Sequence, residues 1–103
     1  MDKIERDGKI AVLYSPGYGA GWYTWHDKPE LVFDPAVVQM VEENRHEDIP
    51  AYVKKTYPGE YLYTGGAEDL RIKWIPKGTR FEITEYDGSE DIRWLSPDNG
   101  LVA

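Results

Sequence analysis

Two glutamates, Glu85 and Glu90, flank an Asp87-Gly88 dipeptide near the C-terminus of this 103-residue chain. Paired carboxylates can accept hydrogen bonds from a ligand hydroxyl or amine, or from a backbone turn; they can also work as the acid and base of a glycosidase. Nothing in the pattern marks one as the acid and the other as the base. A second cluster lies near the N-terminus: Ser15-Pro16-Gly17-Tyr18-Gly19-Ala20-Gly21-Trp22-Tyr23-Thr24-Trp25. Amides of a glycine-rich turn can cradle an anion. The rings of Tyr18, Trp22, Tyr23 and Trp25 can stack on a base or a sugar. In a small protein tryptophan is more often core or subunit interface, so at least one of Trp22 and Trp25 is expected to be structural. Arg71, Arg80 and Arg93 carry guanidinium groups suited to phosphate, with Lys73 a weaker candidate; most exposed arginines are solvated or paired.

Several chemistries are excluded by spacing and composition. The glycines do not follow either phosphate-loop pattern, and Trp22 to Trp25 do not open a helix, so a dinucleotide fold is not indicated. His26 and His46 are the only histidines, with Asp27 and Glu47 beside them. Adjacent positions diverge in helix or strand, so no metal site is predicted. No Ser-His-Asp geometry and no cofactor motif can be argued, and no catalytic residue is assigned. The formal net charge of -7 argues against nucleic-acid and anionic-membrane partners. Lysines and arginines are interspersed, which argues against a mimic of DNA. Cysteine is absent, which fits a reducing compartment. The charged start Met1–Asp7 has no signal-peptide core, and a cytoplasmic location follows as an expectation.

These groups must be positioned by a single domain, residues 1–103, of α+β class: an antiparallel sheet of about four to five strands with a C-terminal meander and two short helices on one face. Lys9 to Tyr14 is apolar on both faces, which predicts an interior strand. Glu30 to Phe33 reads as a short extended piece. Asp34-Pro35 reads as a helix start, with the helix running to about Asn44. Glu47-Asp48-Ile49-Pro50 reads as a second start, and Ile49, Tyr52, Val53 and Tyr57 form its apolar stripe. Tyr61 to Tyr63, Leu70 to Ile75, Arg80 to Tyr86 and Glu90 to Leu95 read as strands, and 96–100 as a terminal loop.

The register follows from the turns. A two-residue turn at Asp87-Gly88 sets Tyr86 against Ser89, Glu85 against Glu90, Ile83 against Ile92, Glu82 against Arg93 and Phe81 against Trp94. A four-residue turn at Pro76–Thr79 sets Trp74 against Phe81, Lys73 against Glu82 and Ile72 against Ile83. Glu85 against Glu90 is a conflict, because like charges then oppose each other on an otherwise apolar face. Either that end of the sheet is wet, or the carboxylates rim a site.

The segments Leu13–Trp22, Tyr63–Gly66 and Thr84–Glu90, with their SPGYGAGW and EYDGSE signatures, resemble a family of small phage and prophage proteins. The resemblance implies a counter-defence factor in the host cytosol: a sponge for a nucleotide signal, or a blocker of a host protein. The expected function is non-enzymatic binding of a small, nucleotide-like ligand. The candidate ligand-binding residues are Ser15, Gly17, Tyr18, Gly19, Gly21, Trp22, Trp25, Gly65, Gly66, Arg71, Glu85 and Glu90. Trp22 or Tyr18 would stack on a base, glycine amides and an arginine would hold phosphate, and Glu85 or Glu90 would take ribose hydroxyls. A homo-oligomer suits such a pocket. The alternatives are a protein-binding inhibitor or adaptor that uses the aromatic loop, and a small hydrolase that uses Glu85 and Glu90.

Overall fold

The computed structural model describes residues 3–17, 22, 23, 29–58, 66–86, 89–94 and 101–103. The fold is α+β, with two antiparallel sheets of three strands and a few short helices. The first sheet has the order β1 (Glu5–Arg6), β2 (Lys9–Tyr14), β3 (Arg71–Pro76). The second has the order β5 (Ser89–Trp94), β4 (Arg80–Tyr86), β6 (Leu101–Val102). The helices are α1 (Glu30–Phe33), α2 (Pro35–Glu42) and α3 (Ile49–Thr56).

β2 is the central strand of its sheet, as its two apolar faces require. Successive side chains of a strand point to opposite faces. Ala11 and Leu13 enter a core with Val37 and Val38 of α2 and Ile49 and Val53 of α3. Ile10 and Val12 enter a second core with Ile75, Phe81, Ile83 and Ile92, between the two sheets. The helices therefore cover one face of the first sheet, and the second sheet covers the other.

The β4–β5 register is the one derived from the turn, from Tyr86↔Ser89 through Glu85↔Glu90 and Ile83↔Ile92 to Phe81↔Trp94. The Asp87-Gly88 turn itself and the strand expected at Tyr61–Tyr63 lie outside the described residues. The β3–β4 pairing is overturned. β3 pairs with β2, which sets Ile72 against Leu13, Lys73 against Val12 and Trp74 against Ala11. The sheet therefore divides in two, and Pro76–Thr79 carries the chain from one half to the other. Ile72 and Trp74 match the apolar residues of β2 as well as those of β4, so complementarity alone could not choose. In the fold β3 fills the second edge of β2, while both edges of β4 are taken by β5 and β6.

Glu30–Phe33 is helical rather than extended, with Val32 N donating to Pro29 O at 3.0 Å and Asp34 N to Glu30 O at 3.0 Å. Its apolar run is buried on all sides because this single turn wedges between the cores, giving Leu31 to one and Val32 and Phe33 to the other. β1 and β6 are further strands that pattern did not reveal. β1 reaches β2 through Asp7 and Gly8, both at positive φ (53° and 76°), as a two-residue hairpin turn of the I′ kind requires. No helix among the described residues is long and apolar enough to cross a membrane.

Candidate functional site

The two sheets meet at a corner built around Glu90. Glu90 N donates to Ser15 O at 2.7 Å, which joins the start of β5 to the end of β2. The Glu90 side chain is 1% exposed. Its Oε1 accepts from Ser15 N at 2.9 Å, and its Oε2 accepts from Trp22 N at 3.0 Å and Tyr23 N at 2.8 Å. One carboxylate thus holds the chain where it leaves β2 and where it returns seven residues later. Ser15 Oγ donates to Gly66 O at 2.9 Å, and Ser89 Oγ donates to Pro16 O. Trp22 packs into the helix-side core at 1% exposure, and its Nε1 donates to Leu31 O at 2.7 Å. That carbonyl lies at the end of the single-turn α1, where helix carbonyls lack an internal partner.

A surface cleft of about 410 Å³ adjoins the corner, lined by Val41, His46, Glu68, Asp69, Leu70, Arg71 and Ile72. A 3-10 turn over Ala67–Asp69 links Gly66 to β3 and places both acids on the rim. Gly17 lies so close to this turn that a Cβ there would run into the Asp69 carboxylate. His46 Nε2 lies 3.0 Å from Leu70 O, a carbonyl that can only accept, so this nitrogen donates. Arg6, Arg45 and Arg93 are each paired with a carboxylate. The Arg71 guanidinium has no partner among the described residues, although two acids share its cleft.

A second buried carboxylate holds the helices. Asp34, 2% exposed, caps α2 by accepting from Ala36 N at 2.9 Å and Val37 N at 3.3 Å. It also accepts from Tyr52 Oη at 2.9 Å and Tyr57 Oη at 2.8 Å. Burial first, and then the Asp34 hydrogen bond and charge, push the Tyr57 hydroxyl well above its ordinary value of 10.0. Tyr52 is raised for the same leading reason. A folded-state value above the unfolded one gives stability that is complete below about pH 10 and is lost as pH rises through the folded value. Unfolding free energy is therefore expected to fall with alkaline pH from about 10 upward. In Tyr57→Phe that fall should be shallower, as read by denaturant titration at stepped pH.

The structure brings together Ser15, Gly17, Trp22, Gly66 and Glu90 at the corner, with Arg71 on the adjoining cleft. Glu85, opposite Glu90 in register, is exposed. Tyr18, Gly19, Gly21, Trp25 and Gly65 lie outside the described residues. Glu90 is enclosed rather than exposed, and its carboxylate accepts from three backbone amides. Within this corner Trp22 offers no free ring face. Sequence reasoning passed over Asp69, Glu68 and His46 as cleft residues; only their proximity to Arg71 in space distinguishes them from ordinary surface groups. It also passed over the tyrosine pair on Asp34. There the signal was present, since two tyrosines in an apolar stripe need hydroxyl partners and an N-cap carboxylate has spare acceptor capacity.

Compared with protein-family models, with curated proteins and with solved structures, the chain finds no match among any of the three.

Proposed function

We propose that this protein is a non-enzymatic binder that sequesters a small, nucleotide-like ligand in the cleft beside the Glu90 corner. The observation that carries the reading is the Arg71 guanidinium, without a partner among the described residues, on a cleft of about 410 Å³. That volume falls in the range of small-molecule sites. In this reading Arg71 takes a phosphate, Glu68 or Asp69 takes ribose hydroxyls, and Val41 and Ile72 meet the base. The corner backs the rim of the cleft, since Gly17 lies against the Asp69 side chain. One cation against two carboxylates disfavours a triphosphate and suits a ligand with a single phosphate charge. The resemblance to small phage proteins supports a sponge for a nucleotide signal, acting in the host cytosol.

A thermal-shift panel of mono-, cyclic and triphosphate nucleotides tests it. A ligand at about a hundred times its Kd adds roughly 2.7 kcal/mol. A singly charged nucleotide is expected to raise Tm, and a triphosphate to do less. Arg71→Ala should abolish the shift while leaving the free protein within about 0.5 kcal/mol of wild type, as surface substitutions do. No shift with any nucleotide sinks the reading.

The tie of Ser15 and Trp22 to one carboxylate favours a second reading, a protein-binding inhibitor or adaptor. The sequence between these two tied residues carries Tyr18, an aromatic of the type enriched at binding hot spots. Capture of one host protein by the immobilised chain, with an empty nucleotide panel, would select it.

A further inference from the structure

We propose that the backbone amides of Ser15, Trp22 and Tyr23 form an anion site whose anion is Glu90 of the same molecule, which makes Glu90 the positioning residue for these two stretches of chain. This role is separate from ligand binding, because it concerns how the corner beside the cleft is held and not what the cleft takes.

Three backbone N–H groups converge on the carboxylate at 2.8–3.0 Å. Two of them, from Trp22 and Tyr23, are consecutive and share Oε2, which is how a backbone nest receives an anion. The third comes from Ser15 and meets Oε1. All three of these donors are peptide amides. β5 docks on the Ser15 stretch in both directions, since Ser15 O also accepts from Glu90 N and Pro16 O from Ser89 Oγ. An apolar side chain of similar volume would leave these three amides without this acceptor, and an unsatisfied buried donor is costly. What the carboxylate adds is shape, because only a group with two acceptor oxygens can hold both stretches at once. The amides that receive this anion belong to Ser15, Trp22 and Tyr23 and not to the glycines, and the acceptor comes from the same chain.

Glu90→Gln tests this with almost no change in size. An amide has one acceptor oxygen, and its NH2 would face N–H donors at the other end. It can hold Ser15 or the Trp22–Tyr23 pair, but not both. By amide hydrogen exchange on the full chain, one of these two ends should exchange at least about tenfold faster in Glu90→Gln, while amides of the β2–β3 ladder keep their rates. Glu90→Ala leaves a carboxylate-sized vacancy. Acetate, titrated against chloride at constant ionic strength, should raise the Tm of Glu90→Ala saturably. At about five times its Kd the rise should be about 4–8 °C, with none in wild type. If Glu90→Ala does not fold in chloride, recovery of its fold by acetate counts in favour and failure to recover counts against. Unchanged protection at Ser15, Trp22 and Tyr23 in Glu90→Gln, or equal effects of acetate and chloride on Glu90→Ala, would overturn the proposal. Loss of the β2–β3 ladder protection in Glu90→Gln along with that of these amides would do so too, by making the residue a general core element.

Discussion

Asp34→Ala is expected to lower the unfolding free energy by about 3–5 kcal/mol, a large share of what holds a domain of this size. Removing the cap of α2 costs about 1 kcal/mol. Tyr52 and Tyr57 then lose an acceptor that is charged and enclosed, and hydrogen bonds to charged groups contribute roughly 1.5–3 kcal/mol each. These contributions share one group and will not add in full. Asn at the same position caps almost as well and keeps one acceptor oxygen, so Asp34→Asn should cost about 1–2 kcal/mol. Urea titration of both variants gives the comparison. A double-mutant cycle with Tyr57→Phe isolates the tyrosine share: Asp34→Ala should cost less in the Tyr57→Phe background than in wild type. Equal costs in the two backgrounds would mean that Tyr57 and Asp34 are near each other without interacting.

The size of that effect follows from where Asp34 stands. It ends α1, starts α2 and receives the last two tyrosines of the α3 segment, so three helical pieces are referred to one carboxylate. Glu90 does the same for the two stretches of chain at the sheet corner. Of the three buried polar side chains among the described residues, the two carboxylates hold backbone that neither sheet nor helix can hold. That is a physical reason for a small acidic protein to bury charge at all.

Local and distant information separated cleanly in the sequence. The β4–β5 register was legible because each pair, Phe81 with Trp94, Ile83 with Ile92 and Glu82 with Arg93, repeats the same choice over a short turn. The Asp34-Pro35 start was legible because capping needs only neighbouring residues. The partner of β3 was not legible, since two strands offered it the same apolar pattern. α1 was misread because three consecutive buried residues look like a strand when the wedge that buries them is unseen. Asp7-Gly8 carried the same dipeptide signal as Asp87-Gly88, but the strand before it is only Glu5–Arg6 and has no apolar pattern. For the candidate site, the meeting of Ser15, Gly66 and Glu90 was anticipated as a neighbourhood. Its chemistry was open, because Glu85 and Glu90 are identical in sequence and only the approach of β2 encloses one of them.

Trp22→Ala is the other substitution with a large expected effect, about 3–5 kcal/mol from the cavity alone. The indole fills the core between the first sheet and the helices, and truncation also leaves Leu31 O without its donor. Trp22→Phe keeps most of the apolar area and removes that one hydrogen bond, for about 1–3 kcal/mol. The pair of variants decides what the residue is for. A scaffold tryptophan predicts that Trp22→Phe, once folded, gives the same nucleotide thermal shift or partner capture as wild type, and that its cost appears only in stability. A stacking tryptophan predicts the reverse, with binding lost and the melting temperature barely moved. The enclosure of the ring and its bond to Leu31 favour the first outcome. That outcome would pass any stacking role to Tyr18 or Trp25, the aromatic neighbours that the sequence sets on either side of the Trp22–Tyr23 anchor.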